Sequence, residues 1–525
     1  MEHSETTLSL RPRGLQAPAL IDRGLTALVV GLAGLNLIGL LALMLLRLRY
    51  PFQMEWLEGA FVTSSQWILS GHFLYERLSL QFTPLLYNPV YFYVSAAFAT
   101  VLGPGFLAPR LVSVLATIGC GSLIFDLVRR ETANRWSALA AAGFYAATFK
   151  LTGAWMDIAR VDSLLVFFLV LAAYWARRVP GPRGALGCAL ILALAYFTKQ
   201  SALPFFIAFG GYYLLEDRRS WLVFWPAAGL FLLGTVWLLD TVSDRWYTFY
   251  AWYVVRQTVL DRAAILYFWQ GDILGHVPLA FLGGVGALLL LGHPFRRSAD
   301  GLRSRFYFAL TAGALANSWW NRSFAAADVN SLMPTMACLS ILLGLWLGLP
   351  KPDRARSLLQ PVALLMVATQ FLMQVYDPRS VLPTPRDERA GQDMLTLVRS
   401  FTGDVFVSGG SYYPAMVGKP TYANWGAIVD SSGLWDTNLD VQRGGQNDPR
   451  RQSILDELEA AVASQRFDAI ILDDTSGTGP WDTYWNNLLT PYYRLDRRIF
   501  AEPDVFWTVS GGQTRPQLVY VPTRP

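Results

Sequence analysis

Eleven apolar runs punctuate the chain, at 25–46, 107–128, 136–154, 163–176, 185–197, 202–215, 221–239, 273–291, 306–320, 331–349 and 358–375. A helix that crosses a bilayer needs about 20 mostly apolar residues, and these runs, several of them short, predict about eleven spans. Beyond 375 the pattern changes. Asp377-Pro378 and Leu382-Pro383-Thr384-Pro385 mark a linker, after which hydropathy falls. The stretches 404–408 and 467–472 read as short buried strands, and 453–464 has helical spacing. The expected fold class is a polytopic α-helical membrane protein with a small C-terminal α/β domain. Its divisions are a tail at 1–24, a multi-span domain at 25–375 and an extracytoplasmic domain at 376–525, a tract long enough for a core of its own.

Charge sets the orientation. The short connections holding Arg129, Arg130 and Arg135, then Arg177, Arg178 and Arg183, then Arg218 and Arg219, then Arg296, Arg297, Arg303 and Arg305, then Lys351, Arg354 and Arg356 are basic. So is the N-terminal tail, with Arg11, Arg13 and Arg23. The positive-inside rule puts them in the cytoplasm, with the N-terminus inside and the C-terminus outside. Arg47 and Arg49, at the outer end of the first run, dissent. The run 85–102 is apolar enough to look like a span, but a crossing there would invert every later connection. It is therefore expected to lie in the outer leaflet as a juxtamembrane helix within a first outer loop at 47–106, with Tyr87, Tyr91 and Tyr93 at the interface. The aromatic segment 241–272 reads as interfacial too. About twenty largely polar residues precede the first run and no small-residue cleavage site follows promptly, so that run reads as a signal anchor.

Composition agrees with a membrane protein. The 525 residues are 53% hydrophobic, 14% aromatic and only 15% charged, too apolar for an ordinary soluble enzyme. The net charge of +5 is scattered between apolar runs, without the basic stripe of a nucleic-acid surface. Cys120, Cys188 and Cys338 lie far apart in apolar runs, and the four histidines do not cluster, which argues against a disulfide framework or a cysteine zinc site. Arginine greatly outnumbers lysine, a bias that points to a high-GC bacterial genome.

Against that background the outward acids stand out. Glu55 and Glu58 lie three residues apart in the first outer loop and share a face if this stretch is helical. Glu58, desolvated by aromatic neighbours, could act as a general base; the same spacing also suits two solvated acids at a helix start. Asp162, with Arg160 and Asp157 just before it, opens another run as either an N-cap or a functional acid. Lys199, flanked by Gln200 and Ser201, is a snorkelling cation or a phosphate contact. Arg322 is a similar outward cation, and Asn330 precedes a helix carrying Pro334. Two nearby acids could hold a divalent ion, although the spacing does not demand one. Asp473-Asp474 and Gly409-Gly410 read as turn formers.

Taken in order, several elements resemble the GT-C superfamily of membrane glycosyltransferases, in particular the bacterial branch near the family 39 protein mannosyltransferases and lipid A aminoarabinose transferases. They are Glu58-Gly59, Gly71-His72-Phe73-Leu74-Tyr75, Tyr87-Asn88-Pro89, Arg110, Ala159-Arg160-Val161-Asp162-Ser163, Thr198-Lys199-Gln200-Ser201 and Asn330 with Pro334. The resemblance implies inverting transfer of a sugar from a polyprenyl-phosphate carrier to an envelope glycan, lipid or protein, on the outer face of the bacterial cytoplasmic membrane. It makes the first-loop acid the base, Glu58 ahead of Glu55, and makes Asp162 the second-loop acid. Lys199, Arg160 and Arg322 become the contacts to the donor phosphate, with Gln200, Asn330 and Tyr87 as further substrate-binding residues. Relatives often carry Asp-Glu side by side, whereas Trp56 and Leu57 separate the two acids here. Two other classes would use the same chain differently. A flippase of lipid-linked sugars should show related halves with interrupted helices, and a non-catalytic scaffold would not need Glu58, Asp162 and Lys199 to converge.

Overall fold

The computed structural model describes residues 16–294, 299–325, 327–434, 449–475 and 481–523. Arg11, Arg13, Arg296 and Arg297, used above to orient the chain, lie outside the described residues. The first helix, α1 (Gln16–Leu48), leads into two short helices, α2 (Glu58–Leu69) and α3 (Val90–Leu102). The bundle continues with α4 (Leu107–Thr132), α5 (Arg135–Ala147), α6 (Asp162–Arg178), α7 (Gly181–Thr198), α8 (Leu203–Glu216) and α9 (Arg218–Val242). After the short α10 (Trp246–Thr248) and α11 (Arg262–Tyr267) come α12 (Pro278–Leu291), α13 (Ala299–Arg322), α14 (Met333–Gly348) and α15 (Arg356–Met373).

Each of the eleven apolar runs thus carries a helix. Among the described residues six helices are long and apolar enough to cross a membrane by themselves, and Arg262–Gly275 with Pro278–Leu291 forms a further pair bent by 91°. Helix α3 has 13 residues, about 20 Å of rise, short of a hydrocarbon core of about 30 Å. It is held by ring contacts instead: Phe61 of α2 stacks on Phe92 at 5.0 Å and on Tyr87 at 5.7 Å. Helix α5 is shorter than its run. The chain leaves the helix after Ala147 and turns through Gly153 and Ala154, both at positive φ, so the expected span 136–154 ends in a loop. Helix α14 is buried on every side from Met333 through Leu347 and largely apolar, as a central helix must be. The basic helix ends gather at one end of the bundle, where Glu131 pairs with both Arg177 (2.7 Å) and Arg303 (2.6 Å).

At the other end sits the C-terminal α/β module. A capping box between Thr384 and Asp387 starts α16 (Pro385–Ser400) directly after the proline-rich linker. The sheet follows the order β1 (Asp404–Val407), β2 (Phe467–Thr475), β4 (Thr514–Pro522), β3 (Tyr493–Arg498). Strands β1 and β2 are parallel, and β4 runs antiparallel to both β2 and β3. Helices α17 (Trp425–Ser432), α18 (Pro449–Ala463) and α19 (Trp481–Leu489) complete it. The module shares a core with the bundle: Phe52 packs edge-on to Tyr413 and Phe506, and Val62 and Phe106 join the same cluster. Backbone contacts add to this, Ala423 N–H donating to Leu80 O at 2.9 Å and Leu80 N–H to Glu457 at 2.9 Å.

Candidate active site

Two connections meet at the module end of the bundle, 49–57 between α1 and α2 and 148–161 between α5 and α6. Neither is regular, so their conformation is set by side chains. Two wholly buried arginines do this. Arg47, at the end of α1, reaches Asp157 through Nε (2.7 Å) and Nη2 (3.0 Å) and also donates to Ala154 O, Val381 O and Ser510 Oγ. Arg110, in the first turn of α4, grips Glu58 in a bidentate pair at 2.9 and 2.7 Å and donates to Tyr50 O and Phe52 O, each at 2.6 Å. Glu58 accepts two more bonds, from Met54 N–H at 2.6 Å and Ala159 N–H at 2.7 Å. Burying two ion pairs is costly unless every donor finds an acceptor, and here the partners are supplied by both connections. Burial alone would raise the Glu58 carboxyl; the Arg110 charge and the hydrogen bonds outweigh it and hold the group below its ordinary value. At Asp157 burial prevails over Arg47, and the carboxyl lies above its ordinary value.

The arrangement separates the two first-loop acids. Both oxygens of Glu58, the residue favoured as base in the sequence, are occupied by four donors, so a hydroxyl has no lone pair to approach. Glu55, the reserve, is also fully buried, but its partners are looser. Arg160 Nη1 lies 3.3 Å from each of its oxygens, and Leu57 N–H donates at 3.0 Å. Burial raises the Glu55 carboxyl to about 7 against the pull of Arg160. That is the range in which a carboxylate can accept a proton near neutrality.

From Glu55 a polar chain runs across the bundle end. Arg160 Nη2 donates to Tyr87 Oη at 2.8 Å, and its guanidinium lies against the rings of Trp155 (4.6 Å), Phe61 and Tyr87 (both 5.4 Å). Asp162, opening α6, accepts from Lys199 Nζ at 2.8 Å and Asn330 Nδ2 at 3.0 Å. Arg160 Nε and Asp162 Oδ2 face each other at 4.0 Å, and neither has a hydrogen-bond partner. A small cavity opens beside Asp162 and Lys199, walled by Ser201, Asn317, Asn321 and Asn330. Gln200, next in the chain to Lys199, donates to Leu86 O at 2.9 Å. The Tyr87-Asn88-Pro89 element is fixed in turn, since Asn88 donates to Tyr196 O (2.5 Å) and accepts from Tyr247 Oη (3.0 Å).

Glu55, Glu58, Tyr87, Arg160, Asp162, Lys199, Gln200 and Asn330 are therefore brought together at one end of the bundle. Arg322 is not part of this chain of contacts: its guanidinium is taken by Asp272 at 2.9 Å and by Ala327 O at 3.1 Å. Arg47 and Asp157 were missed as site residues, although an arginine at the wrong end of a helix is a signal that a buried acid awaits it. Among the described residues no three His, Cys, Asp or Glu side chains are grouped so as to hold a metal ion. As a pair for a divalent ion, Glu55 and Glu58 fit poorly, each already facing a guanidinium.

The family profile described as dolichyl-phosphate-mannose-protein mannosyltransferase matches residues 84–239. No curated protein matches the sequence. Among solved structures the chain is similar to ArnT from Cupriavidus metallidurans bound to undecaprenyl phosphate. The TM-score is 0.53 at 12% identity, over 94% of this chain and 98% of that one. The apo state of the same protein gives a TM-score of 0.51 at 12% identity, with the same coverage. At such identity the likeness is one of fold, and it extends through both the bundle and the C-terminal module. The profile match is confined to residues 84–239, under a third of the chain, while along nearly the whole chain the fold is similar to that of ArnT.

Proposed function

We propose that the protein is an inverting glycosyltransferase that moves a sugar from a polyprenyl-phosphate carrier to a glycan, lipid or protein of the bacterial envelope. The reaction takes place at the outer face of the cytoplasmic membrane, with the N-terminus inside and the C-terminal module outside. Glu55 is the base. It takes the proton of the acceptor hydroxyl as that oxygen attacks the anomeric carbon, the bond from that carbon to the phosphate oxygen breaks, and the polyprenyl phosphate leaves with the electron pair. Lys199 meets the phosphate, with Arg160, Gln200, Asn330 and Tyr87 lining the path between base and phosphate, and Asp162 orients Lys199 and Asn330. Arg322 takes no part in donor binding, and Glu58 braces the first loop.

One observation carries the reading: a carboxylate tuned to about 7 and a lysine ammonium stand at the two ends of one buried polar chain, Glu55–Arg160–Tyr87 and Asp162–Lys199. Base and anion site thereby belong to one largely buried run of polar side chains, and fixed charges in such surroundings stabilise a leaving phosphate best. The match to a protein solved with undecaprenyl phosphate supports the choice of carrier. The test is mass spectrometry of lipid-linked sugars and envelope glycans in cells carrying Glu55→Gln. A polyprenyl-phosphate sugar should accumulate while the variant is present at normal level. An unchanged lipid and glycan profile in those cells refutes the assignment.

A further inference from the structure

The C-terminal module does more than dock on the bundle. Its loop between β3 and β4 returns a strap, Val509-Ser510-Gly511, to the floor of the site. Val509 N–H and Ser510 N–H both donate to Met54 O, at 3.0 and 2.9 Å, on the residue directly before Glu55. Ser510 Oγ accepts from Arg47 at 2.8 Å and donates to Ala154 O at 2.9 Å. Gly511 N–H donates to Gly153 O at 3.2 Å. The strap therefore holds both site connections, one on each side.

Gly511 has a second property. It sits at φ +61°, and a Cβ there would stand 2.8 Å from Cζ2 and 3.0 Å from Nε1 of Trp155. Gly153, at φ +76°, is similarly close, its Cβ falling 3.2 Å from the same indole. Trp155 is thus packed between two glycines and the Arg160 guanidinium, which lies 4.6 Å from the ring. Among the described residues, Arg160 is the one that joins Glu55 to Tyr87. We propose that Gly511 and its strap are positioning residues: the module, through Trp155, sets where Arg160 stands and so sets the charge facing Glu55. The mechanical coupling rests on geometry alone, while its catalytic meaning rests on the reading of Glu55 as the base.

The charged groups facing Glu55 are Arg160 from the second connection, Glu58 from α2 and Asp328 from the loop before α14. Arg160 is the one that favours the ionised carboxyl, so displacing it must raise the proton affinity of Glu55. The experiment is an isotope-edited infrared titration of the full-length protein in nanodiscs, following the carboxyl band that is missing from Glu55→Gln. Gly511→Ala should raise the proton affinity of Glu55 on the order of tenfold. Gly512→Ala, whose Cβ meets nothing within 4 Å, should leave it unchanged. In a Trp155→Phe background, where the smaller ring leaves room, Gly511→Ala should shift the titration much less. The backbone strain of an alanine at positive φ is common to both backgrounds and cancels in that comparison. An unchanged midpoint in Gly511→Ala, or an equal shift in both backgrounds, overturns the proposal. If Gly511→Ala does not accumulate as folded protein, Trp155→Phe alone decides: its midpoint must rise, and a midpoint equal to wild type overturns the proposal. None of these titrations depends on sugar transfer, so failure of the strap and failure of the transferase reading are separate results.

Discussion

Replacing Glu58 with glutamine should cost stability first and activity only in consequence. The carboxylate is wholly buried, pairs with a wholly buried Arg110 and accepts four hydrogen bonds between 2.6 and 2.9 Å. Glutamine keeps the volume but removes the charge, and its amide NH2 turns two hydrogens toward N–H donors. The Arg110 guanidinium is left in the interior without its counter-ion, a change that costs about 3–5 kcal/mol. The double replacement Arg110→Met with Glu58→Leu should recover only part of that. It removes the stranded charge, but the carbonyls of Tyr50 and Phe52 lose their donors, at roughly 1–3 kcal/mol each. The assay is the unfolding midpoint of purified protein, set beside its level in membranes. The pH dependence gives a second reading. Because the folded-state value of Glu58 lies below the ordinary one, its contribution is complete above the unfolded value, about 4.3. It is lost as pH falls through the lower folded value. The deficit of Glu58→Gln should therefore be full at neutral pH and close only in strong acid. A Glu58→Gln protein as stable as wild type yet devoid of transfer would refute this reasoning and return the base to Glu58.

Three further outcomes are expected. With the carboxyl of Glu55 at about 7, kcat/KM for transfer should rise with pH through that value and level off above it, since only the ionised form accepts a proton; a pH–rate profile flat from 6 to 8 (about one unit on either side) counts against Glu55. Lys199→Met should weaken undecaprenyl phosphate binding by roughly tenfold or more by losing a charge-assisted contact, whereas Arg322→Met should lower the unfolding midpoint through the stranded Asp272 and leave that binding unchanged; calorimetry on both variants separates the two cations. Gly143→Ala should destabilise by about 1–3 kcal/mol, because its Cβ would stand 2.5 Å from Cα and Cβ of Ala33 where α5 crosses α1, and an unfolding midpoint within error of wild type would show that the two helices can part.

The sequence reveals what is local and hides what is not. Each apolar run announced its helix because burial in a bilayer or bundle demands an uninterrupted apolar stretch, and the run 85–102 carries only the short α3. The cluster around Glu55, Arg160, Asp162 and Lys199 was visible as ionisable residues beside apolar runs, where they are costly to keep. The choice between Glu55 and Glu58 was not visible, since it depends on Arg110, 52 residues further on. Arg47 looked like a topology exception because its partner Asp157 lies 110 residues away. Strands β3 and β4 escaped for a different reason. Tyr493–Arg498 is largely solvated and charged, and Thr514–Pro522 carries arginine, proline and glutamine, so neither shows the alternation that marks a half-buried strand.

The strap also places the site in time. Arg47 and Ser510 are 463 residues apart in the chain, and synthesis proceeds at about 5–20 residues per second. Between the emergence of the first helix and that of the residue that completes its polar contacts, roughly 25 to 90 seconds pass. Throughout that interval Met54 O lacks both of its donors, and the two site connections are joined only by their own contacts, such as Arg47–Asp157 and Glu58–Ala159. A nascent chain therefore carries every side chain of the candidate site well before the strap can brace them. The contacts of the strap are thus the last of the site to form, and a chain that stalls or is cut short before residue 509 never makes them.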